Sequence, residues 1–185
     1  MPKRLSTTHP DFARAFEAFL GEKREVSDDV DAAVRGILAD VRQRGDAALI
    51  DYTQRFDHLD LRTTGLRITD SEIHAAMGSC DRDTLAALSF ARDRIASHHQ
   101  RQLPKDDRYT DMTGAELASR WTAVESVGLY VPGGLASYPS SVLMNALPAR
   151  AAGVPRIAMV VPSPRGTLNP LVLAAAQLAG VTEIY

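Results

Sequence analysis

Between Val30 and Val41 apolar residues return at helical spacing, with Val30, Ala33, Val34, Ile37, Leu38 and Val41 sharing one face. Ser27, ahead of Asp28 and Asp29, supplies a start and Gly45 a stop, so the pattern predicts an amphipathic helix. A second helix begins at Asp46 and carries Ala47, Ile50 and Phe56 on one side. Thr69 followed by Glu72 forms a capping-box signature that opens a short helix through Met77. From Asp81 to His99, Leu85, Leu88, Ala91 and Ile95 make one stripe, while Arg82, Asp83, Arg92 and Arg94 take the opposite face. Pro104 and the polar run KDDRYTD end that helix.

The pattern changes after Gly128. Val127 to Val131 (VGLYV) is a short apolar run of strand type, followed by Pro132-Gly133-Gly134 and a polar loop to Pro139. Ser140 or Ser141 is placed to cap a helix reaching about Ala152, with a kink at Pro148. Ile157 to Val161 is a second strand; Thr167 or Asn169 caps a helix that ends near Gly180; Ile184 and Tyr185 begin a third strand. Strands that alternate with helices make a parallel sheet with crossover helices, because parallel neighbours need a long return connection. Two complete strands and the start of a third leave edges uncovered, so the segment reads as part of a larger domain. The expected fold class is α/β, with a mainly helical part over residues 1–126 and an incomplete parallel sheet over residues 127–185.

Charge sharpens that division. Of the 44 charged residues (21 Lys+Arg and 23 Asp+Glu), only Arg150, Arg156, Arg165 and Glu183 lie beyond Val127, as expected of elements buried on several sides. With 185 residues, 45% of them hydrophobic, the chain has the means to bury a core. A net charge of -2 supplies no basic field for nucleic acid or an anionic membrane surface. The amino terminus MPKRLSTTHPDFARAFEAFL lacks the apolar run of a signal peptide, and no stretch reaches the ~18 apolar residues of a membrane helix; a cytoplasmic location is the default expectation. Cys80, the sole cysteine, excludes an internal disulfide and a thiolate-rich zinc site.

The loop after the first strand is the strongest candidate site, because ligands of open parallel sheets gather beyond the carboxyl ends of the strands. Pro132-Gly133-Gly134 lets backbone approach a ligand closely, the following helix start offers its positive dipole end to a phosphate, and Tyr130 offers a ring and a hydroxyl. The loop is also an ordinary turn sequence, it is not G-x-G-x-x-G, and no acidic residue follows about 20 positions on to take a ribose. Ser140-Ser141 reads as a helix cap rather than a nucleophile, since no G-x-S-x-G surrounds it and no histidine follows His99. Asn145 is either a ligand-binding amide or a solvated one. His98 and His99 point about 100° apart on a helix and read as a solvated helix end, not a chelating pair. Asp57-His58 and Asp106-Asp107 read as loop charges, and Cys80, with no His or Lys nearby, as structural. The residues alone therefore place a nucleotide-class site and assemble no acid, base or electrophile.

Gly128 to Gly134 (GLYVPGG), Tyr138 to Asn145 (YPSSVLMN) and Pro148 to Val154 (PARAAGV), with Asn169 to Tyr185 after them, closely resemble histidinol dehydrogenases. Val41 to Asp57 resembles that family's early helix pair, and the order of later helices agrees, so the resemblance covers nearly the whole chain. It implies an NAD-dependent, zinc-containing homodimer of the cytoplasm that oxidises histidinol through an aldehyde to histidine, the last steps of histidine biosynthesis. It implies two Rossmann-like domains of aldehyde-dehydrogenase-like architecture without the usual glycine fingerprint. The family's NAD-contacting tyrosine falls on Tyr130, with Pro132 and Gly133 as neighbours by adjacency. Family members are more than twice as long, and no zinc ligand or acid–base residue of theirs maps onto this chain, so no catalytic or metal residue is expected in it and the chain alone is expected to be inactive. A non-catalytic nucleotide-binding or dimerisation module of the same origin is the alternative; another aldehyde-dehydrogenase-like enzyme would need a reactive cysteine, and Cys80 lies outside the sheet segment.

Overall fold

The computed structural model describes residues 3–22, 27–132 and 138–185. In chain order its elements are α1 (Phe12–Glu22), α2 (Ser27–Arg44), α3 (Asp46–Asp57), α4 (Leu61–Thr64), α5 (Asp70–Ser79), α6 (Arg82–Gln100), β1 (Asp107–Thr110), β2 (Glu116–Ser119), β3 (Ser126–Tyr130), α7 (Pro139–Ala151), β4 (Arg156–Val160), α8 (Pro170–Ala179) and β5 (Glu183–Ile184). The chain divides into two compact units, Met1–Tyr52 and Thr53–Tyr185.

In the first unit, α1 places Phe12 and Phe16 one turn apart with their rings stacked at 5.5 Å. The stripe expected on α2 forms, although Val30, Val34 and Leu38 stay exposed. Where α2 gives way to α3 at Gly45, Arg44 forks onto Asp40 and reaches Asp51, each at 2.7 Å. That guanidinium is the largest influence holding the Asp40 carboxyl down at about 2.

The second unit carries the sheet. β3, β4 and β5 are parallel in that order, with Val127 beside Ile157, Tyr130 beside Val160 and Met159 beside Ile184. Ile157, Met159 and Ile184 bury their side chains on one face, where Val142, Leu143, Ala146 and Leu147 of α7 and Val172, Leu173, Ala175 and Ala176 of α8 are buried with them. Small residues on α8 let it lie close to α7, and α5 and α6 pack outside this pair as a second helical layer. The stripe read on α6 serves that packing: Leu88, Ala91 and Ile95 lie against the core. Burying a medium-sized apolar side chain is worth about 1.5–3 kcal/mol, so this helix-covered face is what stabilises the unit.

The caps follow local chemistry. Thr69 and Glu72 close the expected capping box, which holds the Glu72 carboxyl below its usual range. Asp81 caps α6 by accepting from the Thr84 amide at 2.9 Å, and Asn169, one of the two residues foreseen, caps α8 by accepting from Leu171. Gly180 ends α8 in the left-handed conformation at φ 74°.

Three expectations change. Neither Ser140 nor Ser141 caps α7: Tyr138 holds the cap position without a side-chain hydrogen bond, and Pro139 starts the helix because its fixed φ suits the first turn. The run KDDRYTD does not merely end α6, since Asp107–Thr110 pairs antiparallel with Glu116–Ser119. The turn between them is built by Asp111, whose carboxylate accepts from Thr113 and Ala115, and by Gly114 at φ 85°. α1 and α4 are helices beyond those that the sequence pattern predicts. Finally, the charge-poor sheet is buried on one face only; on the other, Tyr130, Val160 and Tyr185 are 64%, 47% and 40% exposed.

Candidate functional site

All three parallel strands deliver their carboxyl ends to the same side of the sheet, and the loops that follow them form the candidate site. At the end of β3, strand alternation turns Leu129 toward the helices and Tyr130 toward the open face, where its ring is largely solvent-exposed. No hydrogen bond from the Tyr130 hydroxyl to the described residues forms. Val131, fully buried, anchors the loop by donating its amide to the Val160 carbonyl at 3.0 Å. Pro132 is exposed at the loop's start. Gly133 lies outside the described residues, as does the remainder of the loop to Ser137. Of the three expected cofactor residues, Tyr130 and Pro132 thus adjoin each other at the carboxyl edge.

The far side of the loop is the start of α7. Ser141 and Val142 donate their amides to the Tyr138 carbonyl, and among the described residues no side chain caps the first turn. A helix start without a side-chain cap keeps a first-turn N–H for water or an anion. Beyond β4 the chain runs through Pro162 and Ser163 into a short 3-10 turn, Pro164–Gly166, with Arg165 held at φ 56° and exposed. Gly166 also has positive φ, and a Cβ there would come within 3.3 Å of the Leu59 side chain. Arg165 is the one charged side chain between β4 and α8.

β5 is fastened by a device that the sequence reading passed over. Arg156 forks onto Glu183, with Nη2 to Oε2 at 2.6 Å and Nε to Oε1 at 2.9 Å, and the Tyr185 hydroxyl donates to Oε2 at 2.9 Å. These donors hold the Glu183 carboxyl down from 4.5 to about 2, the Arg156 hydrogen bonds being the largest influence. The signal was present: Arg156, Ala158 and Val160 alternate with the buried Ile157 and Met159, so the strand has a second, polar-tolerant face.

The other candidates fall elsewhere. Asn145 is exposed and donates its side-chain amide to the Ser141 carbonyl at 2.8 Å, one turn back along α7. Cys80 closes α5 through a thiol contact with the Ala76 carbonyl. His98 and His99 meet edge to face at the end of α6, and His99 contacts Gln102 at 2.6 Å. An open groove of about 650 Å³ beside them is lined by Phe90, Asp93, Arg94, Ser97, His98 and Arg101. Among the described residues no three His, Cys, Asp or Glu side chains come together as metal ligands. No described helix is long and apolar enough to cross a membrane.

Residues 21–185 match the family model for histidinol dehydrogenase. The chain belongs to the histidinol dehydrogenase family. The histidinol dehydrogenase of Brucella abortus (strain 2308) is 64% identical over all 185 residues, and that of Rhodopseudomonas palustris is 63% identical over the same span. In each case the chain spans 43% of the relative's length. The crystal structure of a histidinol dehydrogenase from Elizabethkingia anophelis superposes with a TM-score of 0.81 at 31% identity, covering 86% of this chain and 36% of that one. The α/β fold with a parallel sheet is therefore a histidinol dehydrogenase feature.

Proposed function

We propose that the chain forms the dinucleotide-binding portion of an NAD-dependent histidinol dehydrogenase, which oxidises L-histidinol through histidinal to L-histidine in the last steps of histidine biosynthesis. The observation that carries this reading is the exposed Tyr130 ring at the carboxyl end of a parallel strand, beside a helix start without a side-chain cap. Those groups suit a dinucleotide: the ring offers a flat apolar surface and a hydroxyl, and the α7 start offers its positive dipole end and a first-turn N–H to a phosphate. Tyr130, Pro132 and Gly133 are the residues assigned to hold NAD. When bound, NAD supplies the hydride acceptor for each oxidation.

The residues of this chain bind and orient; among those described, none forms an acid–base pair at the carboxyl edge. The described residues also do not fit a zinc ion, so no step is assigned to one here. Histidinol recognition, the zinc and the proton transfers belong, in this reading, to the further length that the relatives have. The homodimer and the cytoplasmic location are part of the same proposal. It follows that the 185-residue chain binds the nucleotide and produces no NADH from histidinol. Two measurements on the purified chain test this: calorimetric titration with NAD, expected to show binding, and absorbance of NADH with histidinol and NAD, expected to stay flat. Absence of NAD binding would remove the nucleotide assignment, and NADH production would remove the division of labour.

A further inference from the structure

Residues 127–185 carry four charged side chains, those of Arg150, Arg156, Arg165 and Glu183. Three of them lie at the amino ends of the strands: Arg156 begins β4 and binds Glu183 at the start of β5, and Arg150 sits in the last turn of α7, which leads into β4. Arg165 lies at the other end. It follows the carboxyl end of β4, whose last residue, Val160, stands beside Tyr130 in the parallel register. At the outer edge of β5 the Ile68 amide donates to the Ile184 carbonyl at 2.9 Å, so the ligand side of the sheet lies toward β3 and β4. The Arg165 side chain is exposed and makes no hydrogen bond or ion pair with the described residues. Its backbone is nevertheless held in the left-handed region, at φ 56° and ψ 27°, where a non-glycine residue is uncommon. His58, at φ 55°, is the other such residue among those described. Their loops touch, since a Cβ at Gly166 would come within 3.3 Å of the Leu59 side chain. Backbone of this kind persists where its surroundings fix it, and it gathers at ligand sites. Here it leaves an uncompensated positive charge at the edge where Tyr130 is exposed.

A guanidinium presents a planar fork of N–H donors that matches a phosphate. In dinucleotide sites on parallel sheets, the adenosine ribose comes to the carboxyl end of the strand that follows the first crossover helix. An acidic side chain there accepts from the ribose 2′-hydroxyl and repels a phosphate, whereas an arginine accommodates one. In this chain that strand is β4, which follows β3 through α7. No acidic side chain stands between Val160 and Glu183, and Arg165 does. We propose that Arg165 reads the adenosine ribose and holds a phosphate on its 2′ position, so that the chain accepts the 2′-phosphorylated dinucleotide, NADP, at least as tightly as NAD. The proposal rests on the assignment of the carboxyl edge to a dinucleotide and adds which form of it the site takes. The nicotinamide is the same in both forms, and the added phosphate takes no part in the oxidation.

Asn and Asp tolerate the left-handed backbone that Arg165 adopts, so Arg165→Asn removes the charge and Arg165→Asp reverses it while the turn is kept. Calorimetric titration of the purified chain is expected to give NADP a dissociation constant no larger than that of NAD. Arg165→Asn should weaken NADP about tenfold, the worth of one charge-assisted hydrogen bond, and change NAD by less than about twofold. Arg165→Asp should weaken NADP further. Added salt should lower NADP affinity more steeply in the native chain than in Arg165→Asn. NAD binding with NADP excluded overturns this proposal and leaves the nucleotide assignment standing. An equal loss of both nucleotides in Arg165→Asn also overturns it, and would put the guanidinium on the pyrophosphate that the two share. Failure to bind either nucleotide removes the nucleotide assignment itself, and this proposal with it. An enzyme of the relatives' length gives a second reading, in which Arg165→Asn is expected to raise the KM for NADP about tenfold and that for NAD by less than about twofold.

Discussion

The Arg156 guanidinium grips the Glu183 carboxylate through two parallel hydrogen bonds of 2.9 and 2.6 Å, joining adjacent strands on the face of the sheet that the helices leave bare. Since the carboxyl is held at about 2 against an ordinary 4.5, the unfolded chain binds the extra proton between those values. The contribution is fully present above pH 4.5 and is lost as pH falls toward 2. Thermal melts across that range are expected to show a steeper acid loss for the native chain than for Glu183→Gln. The difference should be small and shrink in high salt, because Arg156 is 55% exposed. Superimposable acid profiles would show that the pair does not fasten β5.

Met159 is fully buried near the carboxyl end of β4, against the helices. Met159→Ala is expected to cost about 2–5 kcal/mol in urea denaturation, through lost burial and the cavity left behind. The adjacent Val160→Ala, on the open face, should change stability by about 0.5 kcal/mol or less. Comparable losses at the two positions would contradict a sheet covered on a single face.

Helix starts give a matched pair of substitutions. Asn169→Ala removes the acceptor for the Leu171 amide and should cost about 1 kcal/mol, whereas Ser141→Ala, which removes no cap, should stay within about 0.5 kcal/mol. A large loss at Ser141 would restore the capping role that the sequence pattern assigned to it.

For the nucleotide assignment, Tyr130→Ala is expected to weaken NAD binding about five- to tenfold, the worth of one aromatic contact. In an enzyme of the relatives' length the same substitution should raise the KM for NAD more than that for histidinol. An unchanged KM for NAD would argue against Tyr130 as a contact.

Much of the fold is legible in the sequence, for identifiable reasons. Thr69 with Glu72, Asp81, Asn169 and Gly180 act through short-range chemistry that a linear string displays, so the bounds of α5, α6 and α8 came close. The strands at Val127 and Ile157 stood out because helix-covered parallel strands are short and apolar. What escaped reading depended on partners distant in sequence. The β1–β2 hairpin is exposed along its length, and its four-residue strands are too short to display an apolar alternation. Ser140 and Ser141 lie inside α7 because Pro139 takes the first helical position, which moves the cap two or three residues earlier, to Tyr138. The scarcity of charge past Val127 suggested burial on several sides, yet it carries no information about which face is covered. The motif singles out Tyr130 as a candidate, while the Arg156–Glu183–Tyr185 group becomes visible only with the pairing of β4 and β5.

The bond from Ile68 to Ile184 has a kinetic meaning as well. It ties a segment near the beginning of the second unit to its last strand, closing a loop that encloses α5 through α8. Closing so long a loop is slow, which marks this clasp as a late event in folding. Once shut, it couples α5, α8 and β5, which should then open together rather than piecemeal.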